Sequence, residues 1–165
     1  MRKKIIGVFG AGEGADEQST REAFALGKLI ADNGWVVLTG GRDVGVMRAA
    51  CEGAKQVPGS ITVGILPDDE PIGVSPFVDI PILTGMGNAR NNINVLSCDV
   101  AVAVGNCGAG TVSEIALAAK AGKPLLLLHI PNDVATLALR LSSQNVYTAT
   151  SPIQAVEILK QLLNE

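Results

Sequence analysis

Seven short apolar runs punctuate the chain, at residues 5–9, 36–39, 61–66, 77–82, 100–104, 125–128 and, more weakly, 146–148. Most are apolar at nearly every position, the pattern of strands buried on both faces. Between most of them lie amphipathic stretches with helical spacing, over residues 19–32, 44–55, 89–96, 112–121, 134–141 and 152–163. Strands that alternate with helices in this way predict an α/β fold. The sheet should be open, doubly wound and mostly parallel, with helices on both faces and a ligand crevice at the carboxyl ends of the strands.

The punctuation supports those boundaries. Ser19-x-x-Glu22 has the spacing of a capping box, Asn33-Gly34 is a suitable helix stop, and Gly122-Lys-Pro124 ends another helix. Ser151-Pro152 places a cap before a proline in the first helical turn. No repeat, linker or shift in composition divides residues 1–165, so a single ligand-binding domain is expected. The least regular part, residues 67–75, carries Asp68, Asp69 and Glu70 and reads as a mobile solvated loop, with a lid over the ligand edge as the alternative.

Composition narrows the function classes. Apolar residues make up 47 % of the chain but aromatic ones only 3 %, so the core must be closely packed Val, Leu, Ile and Ala. The 19 glycines cluster mainly at loops. A net charge of −3 with no basic stripe argues against a nucleic-acid backbone as partner. No apolar run approaches the ~20 residues of a membrane span. Cys51, Cys98 and Cys107 are odd in number and not closely paired, the usage of a reduced, cytoplasmic protein. Metal-ligand spacing is absent and His129 is the lone histidine, so no protein-ligated metal is expected.

Three turns carry the candidate chemistry. Gly10-Ala-Gly-Glu-Gly14 follows the first strand, Gly40-Gly-Arg-Asp-Val-Gly45 the second, and Gly108-Ala-Gly-Thr-Val-Ser-Glu114 the run at 100–104. A small-residue turn between a strand and a helix presents free N–H groups and the positive end of a helix dipole, which suits an anion. Thr111-x-x-Glu114 also fits a capping box, a role compatible with anion binding at the same helix start. Arg42 has two readings: a bidentate donor to a ligand phosphate, or an exposed side chain partnered by Asp43 or solvent. Arg90 sits among Asn88, Asn91 and Asn92, more polar side chains than a plain helix start needs, and reads as the charged contact in a polar wall. The expected ligand contacts are therefore Gly10, Ala11, Gly12, Gly40, Gly41, Arg42, Gly45, Asn88, Arg90, Asn91, Gly108, Ala109, Gly110, Thr111 and Glu114. His129 follows a strand end and has two readings, facing the ligand edge or supporting it from the core; Cys107, a small residue in a tight turn, carries no assigned chemistry.

Taken together, Gly40-Gly-x-x-x-Gly-Val-Met47, Arg90 and Gly108-x-Gly-Thr-x-x-Glu114 resemble the Rossmann-like superfamily of the LOG cytokinin-activating phosphoribohydrolases, long misannotated as lysine decarboxylases. Within it, Arg90-Asn91, Asp99-Val-Ala-Val-Ala-Val-Gly105 and Thr111-x-Ser-Glu-Ile-Ala-Leu117 are most similar to the molybdenum cofactor carrier proteins. The departures from the hydrolases are local. Asn106-Cys107-Gly108 stands where they carry Pro-Gly-Gly, Asn91 where they carry Lys, and residues 10–14 replace their serine-bearing first loop.

The resemblance implies a carrier that holds the molybdenum cofactor (molybdopterin) as a bound ligand and passes it to a molybdoenzyme acceptor. It also implies a homodimer or homotetramer. The residues fit a binder: no Ser-His-acid set or Cys-His pair can be read from the spacing. The alternative is an enzyme that cleaves the N-glycosidic bond of a nucleoside 5′-monophosphate. In that case the resemblance makes Arg90 and Glu114 the catalytic pair. A nucleotide sensor without turnover is a third, weaker option.

Overall fold

The computed structural model describes residues 2–164. Seven strands form one sheet: β1 (Ile5–Gly10), β2 (Val36–Thr39), β3 (Thr62–Leu66), β4 (Ile80–Leu83), β5 (Val100–Val104), β6 (Leu125–Leu128) and β7 (Val146–Ala149). Their spatial order is β4-β3-β2-β1-β5-β6-β7, and every neighbouring pair is parallel. The order reverses between β1 and β5, where the connections leave to opposite faces and a crevice opens.

Six helices cover the sheet: α1 (Glu17–Asp32), α2 (Gly45–Ala54), α3 (Arg90–Ser97), α4 (Ala109–Lys120), α5 (Asn132–Leu141) and α6 (Pro152–Leu163). Helix α1 packs with α2 and α6, while α4 packs with α3 and α5. The two layers bury two separate cores, and the two-residue period of each strand assigns its side chains between them. Ile6 and Val8 of β1, Val100, Val102 and Val104 of β5, and Leu126 and Leu128 of β6 belong to the α1–α2–α6 side. Phe9, Ala101, Ala103, Leu125 and Leu127 belong to the α3–α4–α5 side. On β5 every valine thus faces one layer and every alanine the other.

Two helix-interior glycines permit the close contact of α1 with α2. A Cβ on Gly27 would lie 2.0 Å from the carbonyl oxygen of Ala50, and one on Gly53 would lie 1.9 Å from that of Phe24. Glycine in a helix interior costs about 0.5–1 kcal/mol relative to alanine, and here that cost is offset by backbone-to-backbone packing.

Several boundaries differ from expectation for identifiable reasons. The strand expected at 77–82 is β4, at Ile80–Leu83. Upstream of it, Thr62 Oγ1 donates to the Phe77 carbonyl at 2.6 Å, and the Asp79 N–H is shared between Thr62 Oγ1 at 2.9 Å and Thr62 O at 3.2 Å, so side-chain bonds take up part of the pairing before β4 begins. The Ser19–Glu22 capping box does not form. Asp16 caps α1, accepting from the Ser19 N–H at 2.7 Å, and Ser19 is buried inside the helix. Helix α4 begins three residues before the expected Val112. The stops at Asn33-Gly34 and Gly122 and the cap at Ser151 stand as read. Residues 67–75 are tied down at the ligand edge: the Asp43 N–H donates to Gly73 O, and the Ser75 N–H to Gly41 O, each at 2.9 Å.

Candidate functional site

A cavity of about 200 Å³ opens at the carboxyl ends of β1 and β2, between the starts of α2, α3 and α4. All three glycine turns reach it. Its lining includes Gly10, Ala11 and Gly12 after β1, Gly40 and Arg42 after β2, Asn88, Arg90 and Asn91 at the start of α3, and Gly108, Gly110, Thr111 and Glu114 at the start of α4. Val8, Phe9 and Met47 complete it and were not anticipated. Met47 stands in the Gly45-Val-Met47 segment, but nothing local marks it as lining; Val8 and Phe9 read only as core strand.

Three expected contacts, Gly41, Gly45 and Ala109, stand outside the lining, and the two glycines have packing roles instead. Gly45 has φ +53°, and a Cβ there would lie 2.2 Å from the carbonyl oxygen of Gly12, so it seats α2 against the first turn. The next N–H, of Val46, donates to Ala11 O at 3.0 Å. Gly41 turns toward β3, its N–H donating to Thr39 Oγ1 at 3.0 Å. Ala109 opens α4 on the exposed side.

The α4 start differs from the capping-box expectation. Gly108 is its N-cap, and no side chain caps the helix. The first-turn N–H groups therefore lack a protein side chain to accept from them. A Cβ at Gly108 or Gly110 would meet nothing within 4 Å, so backbone lies open to the cavity there. Glu114, the would-be partner of Thr111 in the box, instead accepts from Asn94 Nδ2 of α3 at 2.9 Å. Glu114 is 7 % exposed, and that burial lifts its carboxyl to about 7 despite the opposing effects of Asn94 and the Arg90 charge.

Arg90 is half-buried. Its Nη2 donates to Gly40 O at 3.4 Å, its Nη1 bonds Asn91 Oδ1, and its buried Nε has no partner among the described residues. Desolvation draws its pKa below the ordinary value, but guanidinium remains cationic at any working pH. Asn91, where the hydrolases carry Lys, extends the chain of contacts: Asn91 Nδ2 donates to Ser113 Oγ at 2.9 Å, and Ser113 Oγ to Gly110 O at 2.6 Å. Arg90 is thereby joined to the α4 turn. Asn88 lies exposed in a short 3₁₀ turn, Gly87–Ala89, and caps nothing.

Arg42 is half-exposed at the cavity rim. Its partner is Asp68 of the 67–75 loop at 3.5 Å, not Asp43, which pairs with Arg48 at 3.1 Å. The cavity thus carries two guanidinium groups at its walls and one carboxyl on α4.

His129 and Cys107 lie off the cavity lining. His129, at φ +52°, bonds Glu22 Oε1 through Nδ1 and lies 3.3 Å from Gln18 Nε2. Burial pushes the Cys107 thiol up to about 11, so at neutral pH it is protonated and not a nucleophile. Among the described residues, no group of three or more His, Cys, Asp or Glu is placed to hold a metal ion. No helix among them is long and apolar enough to cross a membrane.

Residues 3–156 match the SLOG cluster4 family, a span that includes all three turns, Arg90 and Glu114. The chain belongs to that family. The SLOG cluster4 chain is similar over almost its whole length to the molybdenum cofactor binding protein of the phototrophic bacterium Rippkaea orientalis. Identity is 51 %, 99 % of each chain is covered, and the TM-score is 0.95. It is also similar to the molybdenum cofactor carrier protein of Chlamydomonas reinhardtii, at 45 % identity over 99 % of this chain and 100 % of that one, with a TM-score of 0.92. An uncharacterized protein of Archaeoglobus fulgidus is 47 % identical over 131 residues, covering 79 % of the SLOG cluster4 chain and 83 % of the relative.

Proposed function

We propose that this protein is a carrier of the molybdenum cofactor: it binds the pterin ligand as cargo, shields it, and releases it to a molybdoenzyme acceptor. The observation that carries this reading is the pairing of an open, uncapped glycine turn with Arg42 and Arg90 in one cavity. The chain that holds this cavity is 51 % and 45 % identical to proteins described as binding or carrying that cofactor.

The donor set fits such a cargo. A phosphate would take the first-turn N–H groups of α4, with Arg42 and Arg90 supplying charge. The orphaned Nε of Arg90 offers one more donor. Asn88, Asn91 and the Glu114 carboxyl offer both donors and acceptors to a heterocycle. At about 200 Å³ the cavity is smaller than the ~300–1,000 Å³ of sites that enclose a drug-sized ligand, so part of a pterin cofactor would rest across the rim. The set holds and orients. It includes no activated nucleophile, since Cys107 is protonated and off the lining.

A homodimer or homotetramer belongs to the same proposal. Apolar side chains lie exposed at Ile80, Ile82 and Leu83 of β4 and at Leu137, Leu139 and Leu141 of α5, patches of the kind that partners cover.

The deciding experiment is purification of the protein from a cofactor-producing host, with pterin and molybdenum measured per chain. Near-stoichiometric pterin supports the carrier reading, and a bound purine nucleotide in its place overturns it.

One observation keeps a second reading alive. Arg90 and Glu114 line the same cavity, and a carboxyl near 7 is suited to general acid–base work on a glycosidic bond. Base release from AMP, GMP or prenylated AMP separates the two. The parent protein is expected to release none; rapid turnover lost on Glu114→Gln would replace the carrier with a phosphoribohydrolase.

A further inference from the structure

Asn106 does not line the cavity, yet it joins two of the turns that do. Its Oδ1 accepts from Ser19 Oγ at 3.0 Å and from the Asp16 N–H at 3.3 Å. Its Nδ2 donates to Gly14 O at 2.7 Å, at the end of the first turn. Its own backbone N–H donates to Ser19 Oγ at 3.1 Å, closing a reciprocal pair. Four hydrogen bonds therefore fasten residues 14–19 to the turn that leads into α4. Ser19 is 1 % exposed, and its N–H is held by Asp16 at 2.7 Å, so the anchor is itself fixed.

The neighbouring residue is shaped to the same contact. Gly105 has φ +70°, and a Cβ there would lie 1.8 Å from Ser19 Oγ. No side chain fits at 105 while Ser19 occupies its place. The α4 start has no side-chain cap of its own, so its aim depends on what holds the preceding turn. Besides Asn106, the Gly105 N–H donates to Leu128 O at 2.9 Å at the end of the strand.

We propose that Asn106 is a positioning residue, a latch that through Ser19 and Gly14 sets the first-turn N–H groups of α4 toward an anion in the cavity. The inference rests on the proposal that this cavity takes the phosphate of its ligand. It also gives a physical meaning to Asn106 standing where the hydrolases carry Pro: proline has no side-chain amide and no N–H, and would delete the Gly14, Asp16 and Ser19 contacts together.

The test uses the full chain and pyrophosphate as probe, followed by NMR of backbone amides and arginine Nε–H groups. In the parent protein, pyrophosphate should shift the amides of Ala109, Gly110 and Thr111 and the Nε–H of Arg90. Asn106→Ala and Ser19→Ala should each weaken pyrophosphate binding tenfold or more and erase the α4 shifts while Arg90 still responds. A loss of fold would move both sets. The double variant should bind no more weakly than the worse single one, because both changes cut the same latch. Parental affinity in Asn106→Ala, or losses that multiply in the double variant, would overturn the latch alone. No pyrophosphate response in the parent protein would overturn the anion-binding turn and the latch with it.

Discussion

Glu114→Gln gives the sharpest physical test of the site, because the carboxyl it replaces is held in an unfavourable place. Burial raises that group from an ordinary 4.5 to about 7, with Asn94 and the Arg90 charge opposing the rise. The other charged side chain lining the cavity is Arg42, which is paired with Asp68 of the 67–75 loop. Below pH 4.5 the carboxyl is protonated in the folded and unfolded chains alike, and no penalty exists. Between 4.5 and about 7 the unfolded chain ionises first, so the folded state binds more protons and stability falls as pH rises. Above 7 the full penalty applies, about 3 kcal/mol at ~1.4 kcal/mol per pH unit of displacement. Glutamine keeps the acceptor for Asn94 and never ionises. Urea unfolding of the ligand-free parent and Glu114→Gln proteins from pH 4.5 to 8.5 should therefore show the variant gaining about 2–3 kcal/mol on the parent across that range. A stability gap that stays flat with pH would refute the reasoning, because it would mean that the carboxyl ionises as freely when folded as when unfolded.

Further expectations concern binding and packing. Gly110→Val should leave the free protein folded, since a Cβ there meets nothing within 4 Å, but should abolish cofactor binding in an ultrafiltration assay; undiminished binding would move the site elsewhere. Arg90→Ala should weaken cofactor binding by about 1.5–3 kcal/mol, the range for a hydrogen bond to a charged group, and titration with the cofactor reads it directly. Gly53→Ala should lower the urea midpoint by the equivalent of about 1–3 kcal/mol, because a methyl would press on the Phe24 carbonyl at 1.9 Å. Leu126→Ala, at a fully buried position on β6, should cost about 2–5 kcal/mol in the same unfolding measurement.

The parallel sheet was legible because Val100–Val104 and Leu125–Leu128 are apolar without interruption, and only strands covered on both faces tolerate that. The glycine turns were legible because each closes an apolar run. What misled was short polar spacing. Ser19 with Glu22 and Thr111 with Glu114 both have the form of a capping box, yet the acids bond His129 and Asn94 across the fold. Local rules carry no knowledge of a partner 107 or 20 residues away. The same blindness offered adjacent Asp43 or solvent as one reading of Arg42 and missed Asp68, its partner in the fold. It also left Gly27 and Gly53 unremarked, since their reason is a carbonyl on another helix. The Asn106 contacts span 87 to 92 residues and had no local signature at all.

The Arg42–Asp68 pair bears on how a carrier lets go. At 3.5 Å, with both side chains about half-exposed, the pair contributes no more than about 1 kcal/mol, so a phosphate bound as proposed would displace Asp68 with little resistance. On departure the same carboxylate is waiting. In the proposed carrier Arg42 would exchange one anion for another and never stand bare, while the contact proposed for Arg90 would be left unchanged. The rim of the cavity would thus act as an internal competitor, a tethered acid whose local concentration no dilution can change.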